Sequence, residues 1–457
     1  MNTDNSRTGI AATQIEAMLE RERALYTQRN PQSRKLSGQA ASHLMFGVPL
    51  HWMSDWGTPF ALQVAHARGA RLVDADGHAL VDFCLGDTGA MFGHSPEVLA
   101  AALQRQASQG LTTMLANEDG AEVARLLAQR FDLPRWQFAM TATDANRFVL
   151  RWLRAVTKRP VVLVFNGCYH GTVDDAFVDL VDGRPVQRPS LLGQVHDLTH
   201  TTRVVEFNDL AALEAALAPG DVACVLAEPV MTNVGMVLPE PGFWTQATEL
   251  IHRHGSLLVL DETHTLSSGP GGYARAHGMQ ADAVVVGKAI GGGMPCAAYG
   301  FSAELAGRVE QAKHAAAPGH SGIGTTLTAN LLAMAAMRAT LGELLQPEVF
   351  APMQARAEKL ASGLRRVIDT HRLPWCVTQV GARTEFQFYP TPPRNGTAAS
   401  AAMDPALEQA LHLYLLNRGI LITPFHNMML VCPDTTDADI DALEAALDAA
   451  VRELKGD

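Results

Sequence analysis

Four short runs of nearly unbroken apolar residues mark the middle of the chain: VVLVF (161–165), VACVLAE (222–228), SLLVLDE (256–262) and AVVVG (283–287). Stretches of helix length are interleaved with such runs from about 96 to 335, among them SPEVLAAALQRQ and EVARLLAQRF. Their apolar positions recur every three or four residues. Continuous β-branched runs separated by helical segments predict a mostly parallel sheet buried on both faces, flanked by helices. The fold class expected is therefore α/β. Earlier in the chain, a helical pattern runs from Ile15 to Tyr26, and RLVDADGHALVDF (71–83) reads as two short strands around the turn Asp76-Gly77. Beyond about 336 the pattern changes: a long helix (MQARAEKLASGLRRVIDT), a strand (TEFQFY), a loop (PTPPRNGT) and two further helices. This predicts a smaller α+β domain. The expected division is 1–80 joined to the small domain, 81–335 as the large domain and 336–457 as the small one.

Composition narrows the function classes. The chain has 457 residues, 47% hydrophobic and 18% charged, with a net charge of −11. An acidic protein is poorly suited to nucleic acid or an anionic membrane surface. No apolar run reaches the roughly 18 residues of a membrane span. The first residues, MNTDNSRTGIAATQIE, lack the order of a signal peptide. Six scattered cysteines, with no CxxC pair, point to reduced thiols and a cytoplasmic location. His252 and His254, and His196 and His200, have metal-like spacing but no third ligand, so no metal is expected. Neither a GxxxxGK[ST] nor a GxGxxG motif is present.

In open parallel sheets, ligands gather at the carboxyl ends of the strands. Here those ends carry Tyr169 and His170, Glu228, Asp261 and, after AVVVG, Lys288. A lysine beside so much apolar surface is costly unless its amine is paired or chemically used. An amine and a carboxylate at such positions are the two groups that pyridoxal phosphate chemistry needs: one to condense with the aldehyde, one to keep the ring nitrogen protonated. TATDANRFVLRWLRA (141–155) adds a helix N-terminus suited to a phosphate.

With DETHT (261–265), GKAIGGGMP about 25 residues later, and the LVDADGHALVDF and GHSP segments, the chain resembles the class III aminotransferases, of the pyridoxal phosphate fold type I. It looks most like their glutamate-1-semialdehyde aminomutase and β-amino-acid aminotransferase branch. The resemblance implies pyridoxal 5′-phosphate as cofactor, with Lys288 as the Schiff-base lysine and Asp261 as partner of the ring nitrogen. Tyr169 and Thr263 would cover the two ring faces, the family usually having valine where this chain has Thr263. His170 and Glu228 would complete the cofactor site. The family's phosphate loop appears as Thr141-Ala142-Thr143-Asp144-Ala145, with Ala142 in place of glycine and Asp144 in place of glutamate. GTTLTAN (324–330) resembles the segment that reaches a neighbouring subunit's phosphate through Thr326, which implies a homodimer with a shared active site.

For the substrate, the aminomutase branch has a glutamate in a Phe-Glu segment where this chain has Pro424-Phe425-His426-Asn427. The β-amino-acid branch has an N-terminal arginine where this chain reads PLHWMSDWGTPF (49–60). Trp52, Trp56, Phe425 and His426 are the pocket residues expected, and Arg383 the cation for a carboxylate. Three functions follow. The first is an aminotransferase taking a small-molecule amino donor and a keto acid acceptor. The second is an isomerase, either a glutamate-1-semialdehyde-type aminomutase or a racemase. The third is a catalytically silent binding protein.

Overall fold

The computed structural model describes residues 7–423 and 425–456. Pro424, Asp457 and the first six residues lie outside it. The chain divides into two units. One runs up to Pro96 and takes in Ala351–Pro392 and residues 402 onward; the other is Glu97–Phe350 with Pro393–Ala401. The divisions fall at Pro96 and Phe350, later than the expected 80 and 335. The strands and turns up to 96 pair with the first unit's sheet, and Leu331–Ala339 is a helix of the second.

Among the described residues, the second unit holds a seven-stranded sheet. In spatial order its strands are Arg135–Ala139, Ala297–Phe301, Ala283–Val286, Leu257–Asp261, Val222–Ala227, Val161–Phe165 and Thr202–Val205. Ala297–Phe301 runs antiparallel to both its neighbours, and the other pairings are parallel. The four expected runs form the contiguous centre and are buried at every position. Three strands did not stand out in the sequence. RWQFA is an edge strand with alternating exposure, AAYGF is built of small residues, and TRVV is four residues long.

The helix Ala142–Thr157 packs Phe148, Val149 and Leu153 into the same core as Val164, Leu226, Val259 and Val285. Each such side chain contributes about 1.5–3 kcal/mol on burial. Thr141 caps this helix by accepting from the Asp144 N–H at 3.2 Å, and Lys158 closes it with a left-handed φ of 60°.

The first unit has a four-stranded sheet (Val64–Arg68, Arg71–Asp74, Ala79–Asp82, Ile420–Leu421) and a three-stranded one (Cys376–Val380, Arg383–Gln387, Met428–Leu430). The helices Ala12–Arg29, Pro405–Leu416 and Asp437–Lys455 share one apolar core through Leu19, Leu411 and Leu447. The expected loop PTPPRNGT ends in a short helix, Gly396–Ala402. Residue 396 has to be glycine, because a Cβ there would meet the Asn166 carbonyl oxygen at 1.9 Å.

Candidate active site

Parallel pairing puts four strand ends on one edge of the sheet. Asp261 stands beside Val285, so Lys288 follows three residues further along the next strand. Leu260 stands beside Ala227, which sets Glu228 level with Asp261 on the other side.

Asp261 is 4% exposed, and a carboxylate so buried must be paired. Its Oδ2 accepts from Asn146 Nδ2 at 2.8 Å and from His170 Nδ1 at 3.1 Å, and its Oδ1 accepts from the Thr263 N–H at 3.1 Å. Burial alone would raise the Asp261 pKa, but the hydrogen bond and charge of His170 hold it down to about 2. Burial works against the His170 cation too, yet Asp261 raises its pKa to about 10. The two form a buried ion pair. Oδ1 accepts one hydrogen bond and has capacity for another donor.

Lys288 follows Gly287 with a φ of 49°, a left-handed conformation uncommon for a residue with a side chain and found at functional sites. A Cβ on Gly287 would meet the Ala142 Cβ at 3.1 Å, so the lysine turn passes close to the start of the capped helix. Lys288 Nζ lies 3.0 Å from His264 Nε2. At the helix start, Thr143 Oγ1 accepts from the Thr172 N–H at 3.1 Å, and Gly171 sits so near that a Cβ there would meet this hydroxyl at 2.0 Å. Thr141 Oγ1 donates to Asp144 Oδ2 at 3.2 Å, so the aspartate that replaces glutamate is tied into the cap.

Tyr169 is 39% exposed, whereas Thr263 is buried. The Thr263 side chain also helps to hold the Asp261 pKa down. Glu228 is buried, accepts from the Thr232 hydroxyl, and is pushed up to about 7 by burial. Glu262 is a fold residue. It accepts from the Thr265 hydroxyl and from the N–H groups of Tyr273 and Ala274, at 3.0 and 2.7 Å, capping the following helix.

Thus Lys288, Asp261, Tyr169, His170, Glu228, Thr263, Ala142, Thr143 and Asp144 all lie in the second unit, at the strand ends and helix start expected. Thr326 is exposed in that unit's turn 325–328. The sequence reading missed Asn146 and His264. The only signal for His264 was its place three residues after the acid, and Asn146 carried none.

The substrate candidates all lie in the first unit. Trp52 and Phe425, the latter 45% exposed, meet edge to face at 6.0 Å. Trp56 packs on the core of Tyr26, Leu72 and Leu80. His426 bonds Glu385 at 2.8 Å; burial works to lower its pKa, but Glu385 raises it above the ordinary value. Arg383 is the cation expected for a carboxylate. It is 1% exposed, donates to the Thr88 hydroxyl and to Met428 Sδ at 3.1 Å, and lies 3.9 Å from Asp87. Its guanidinium is buried among groups of its own unit.

Residues 52–451 match the aminotransferase class-III family. The chain belongs to the class III aminotransferases. A glutamate-1-semialdehyde 2,1-aminomutase of Desulfosudis oleivorans is 33% identical over 400 residues, 86% of this chain and 92% of that protein. A glutamate-1-semialdehyde-aminomutase from Pseudomonas aeruginosa PAO1 has a TM-score of 0.96 and 46% identity, covering 98% of this chain and all of that one. A lysine-to-alanine variant of it was solved in complex with PMP. A β-phenylalanine aminotransferase from Variovorax paradoxus, 28% identical, has a TM-score of 0.85 and covers 95% and 97% of the two chains.

A class III aminotransferase is an enzyme whose cofactor is pyridoxal 5′-phosphate, and the residues here fit it. Asp261 is held ionised, and Glu228 Oε1 is a buried polar atom with no partner among the described residues. The relatives rank an isomerase above the aminotransferase that the sequence put first. Among the described residues, no helix is long and apolar enough to cross a membrane, and no cluster of three ligating side chains is placed to hold a metal.

Proposed function

We propose that this enzyme is an aminomutase, producing a net shift of an amino group between adjacent carbons of one small substrate with no keto acid consumed. The likeness to the Pseudomonas aeruginosa glutamate-1-semialdehyde-aminomutase carries this reading. When bound, pyridoxal 5′-phosphate supplies an aldehyde that condenses with amines and a ring that accepts electrons. Asp261 holds the proton on the ring nitrogen. The N–H groups at the start of Ala142–Thr157, with Thr143, hold the phosphate; Asp144 shapes the cap and His170 keeps Asp261 charged. Tyr169 and Thr263 cover the ring faces. Lys288 would hold the cofactor through its amine and carry the proton at the substrate's reacting carbon. Glutamate-1-semialdehyde is the first substrate to test: its conversion in the absence of any 2-oxo acid supports the reading, and a requirement for one contradicts it.

The working unit in this proposal is a homodimer in which Thr326 of each chain approaches the other's phosphate site. Exposed Met114, Leu115 and Leu327 in the second unit support an interface between copies. Light scattering should give at least a dimer, and a fully active monomer would contradict it. The six buried, unbridged cysteines support a cytoplasmic location.

A further inference from the structure

His264 has no role in the account so far, yet its Nε2 lies 3.0 Å from the amine that does the chemistry. The loop that carries it is firmly held. Glu262 is bonded to Thr265, Tyr273 and Ala274; the Leu266 N–H donates to the Glu262 carbonyl at 2.9 Å; Ser267 Oγ donates to the His264 carbonyl at 3.1 Å. Thr265, Leu266 and Ser267 are buried. The other partner follows a left-handed backbone turn at Lys288. The contact is therefore set by two constrained turns.

An ammonium and an imidazolium at this separation repel each other strongly. A nitrogen-to-nitrogen hydrogen bond holds a single proton, on one side or the other.

We propose that His264 is a positioning residue that acts through Lys288 by taking its proton. The N–H bond at Nζ breaks, a new one forms at Nε2, and the lone pair stays on Nζ, leaving a neutral amine able to attack an aldehyde; the reverse transfer restores the ammonium. This rests on the reading of Lys288 as the cofactor lysine, and it adds to that reading what makes the amine nucleophilic.

The test uses cofactor-free protein. Pyridoxal 5′-phosphate is added and the visible band of the lysine-linked cofactor is followed by stopped flow in wild type, His264→Gln and His264→Ala. Glutamine keeps a hydrogen-bonding side chain but does not take up a proton. Both variants should form the band on the order of tenfold more slowly or worse, to the same final amplitude. Free imidazole should restore the rate in His264→Ala. Unchanged rates, or slow rates that imidazole does not rescue, overturn the role of His264 and leave the function of Lys288 standing. A wild-type protein that forms no band overturns the Lys288 reading itself.

Discussion

Lys288→Ala is expected to lose turnover by at least about four orders of magnitude. One amine serves as covalent anchor and as proton carrier at the reacting carbon, so its removal strikes two steps together. The fold should survive. Lys288 is only partly buried, and the neighbouring strand residues Ala283–Val286 hold the sheet without it. The variant should still retain the cofactor through the helix start and Asp261, but without the visible band of the lysine-linked form. Near-normal turnover in Lys288→Ala, measured beside an unchanged circular dichroism spectrum, would overturn the assignment.

Asp261→Asn is expected to slow the reaction by about a thousandfold, some 4 kcal/mol of barrier. A neutral amide does not hold a proton on the ring nitrogen, so the ring loses its capacity to accept electrons. The same change leaves His170 without its charge partner in a buried site, where breaking a pair costs about 3–5 kcal/mol. The pH dependence has a definite sign. Asp261 is lowered from 3.8, so its contribution is present above that value and is lost as pH falls through about 2. His170 is raised from 6.5, so its contribution is complete below that value and is lost as pH rises through about 10. The difference in melting temperature between wild type and Asp261→Asn should therefore be largest between about pH 4 and 6.5. A loss of activity below about tenfold would assign the ring nitrogen to another residue.

The central sheet was legible because a strand buried on both faces must be apolar throughout, and VVLVF or LLVLD admits few other readings. Asp261 and Lys288 were legible for the complementary reason: each is a charged group at or just beyond the end of such a strand. The rest depends on contacts that a linear pattern does not encode. AAYGF has no β-branched residue to mark it as a strand, and its antiparallel direction follows from its pairing. Arg383 stands on a strand with Glu385, and the fold brings Thr88, 295 positions away, onto its guanidinium, a contact the sequence did not signal. The contact between His264 and Lys288 arises from two turns, one with a positive φ at a lysine. The choice between moving an amino group within a substrate and between substrates leaves no mark in DETHT or GKAIGGGMP, because both reactions need the same acid and amine.

The most direct measurement is therefore the product formed from glutamate-1-semialdehyde, which is 4-amino-5-oxopentanoate, by purified enzyme loaded with cofactor and given no other substrate. Followed by NMR over many turnovers, the account predicts complete conversion to 5-amino-4-oxopentanoate at a rate that pyruvate or 2-oxoglutarate does not raise. Conversion that stops after one equivalent per site and resumes only when a 2-oxo acid is added would contradict it and establish an aminotransferase.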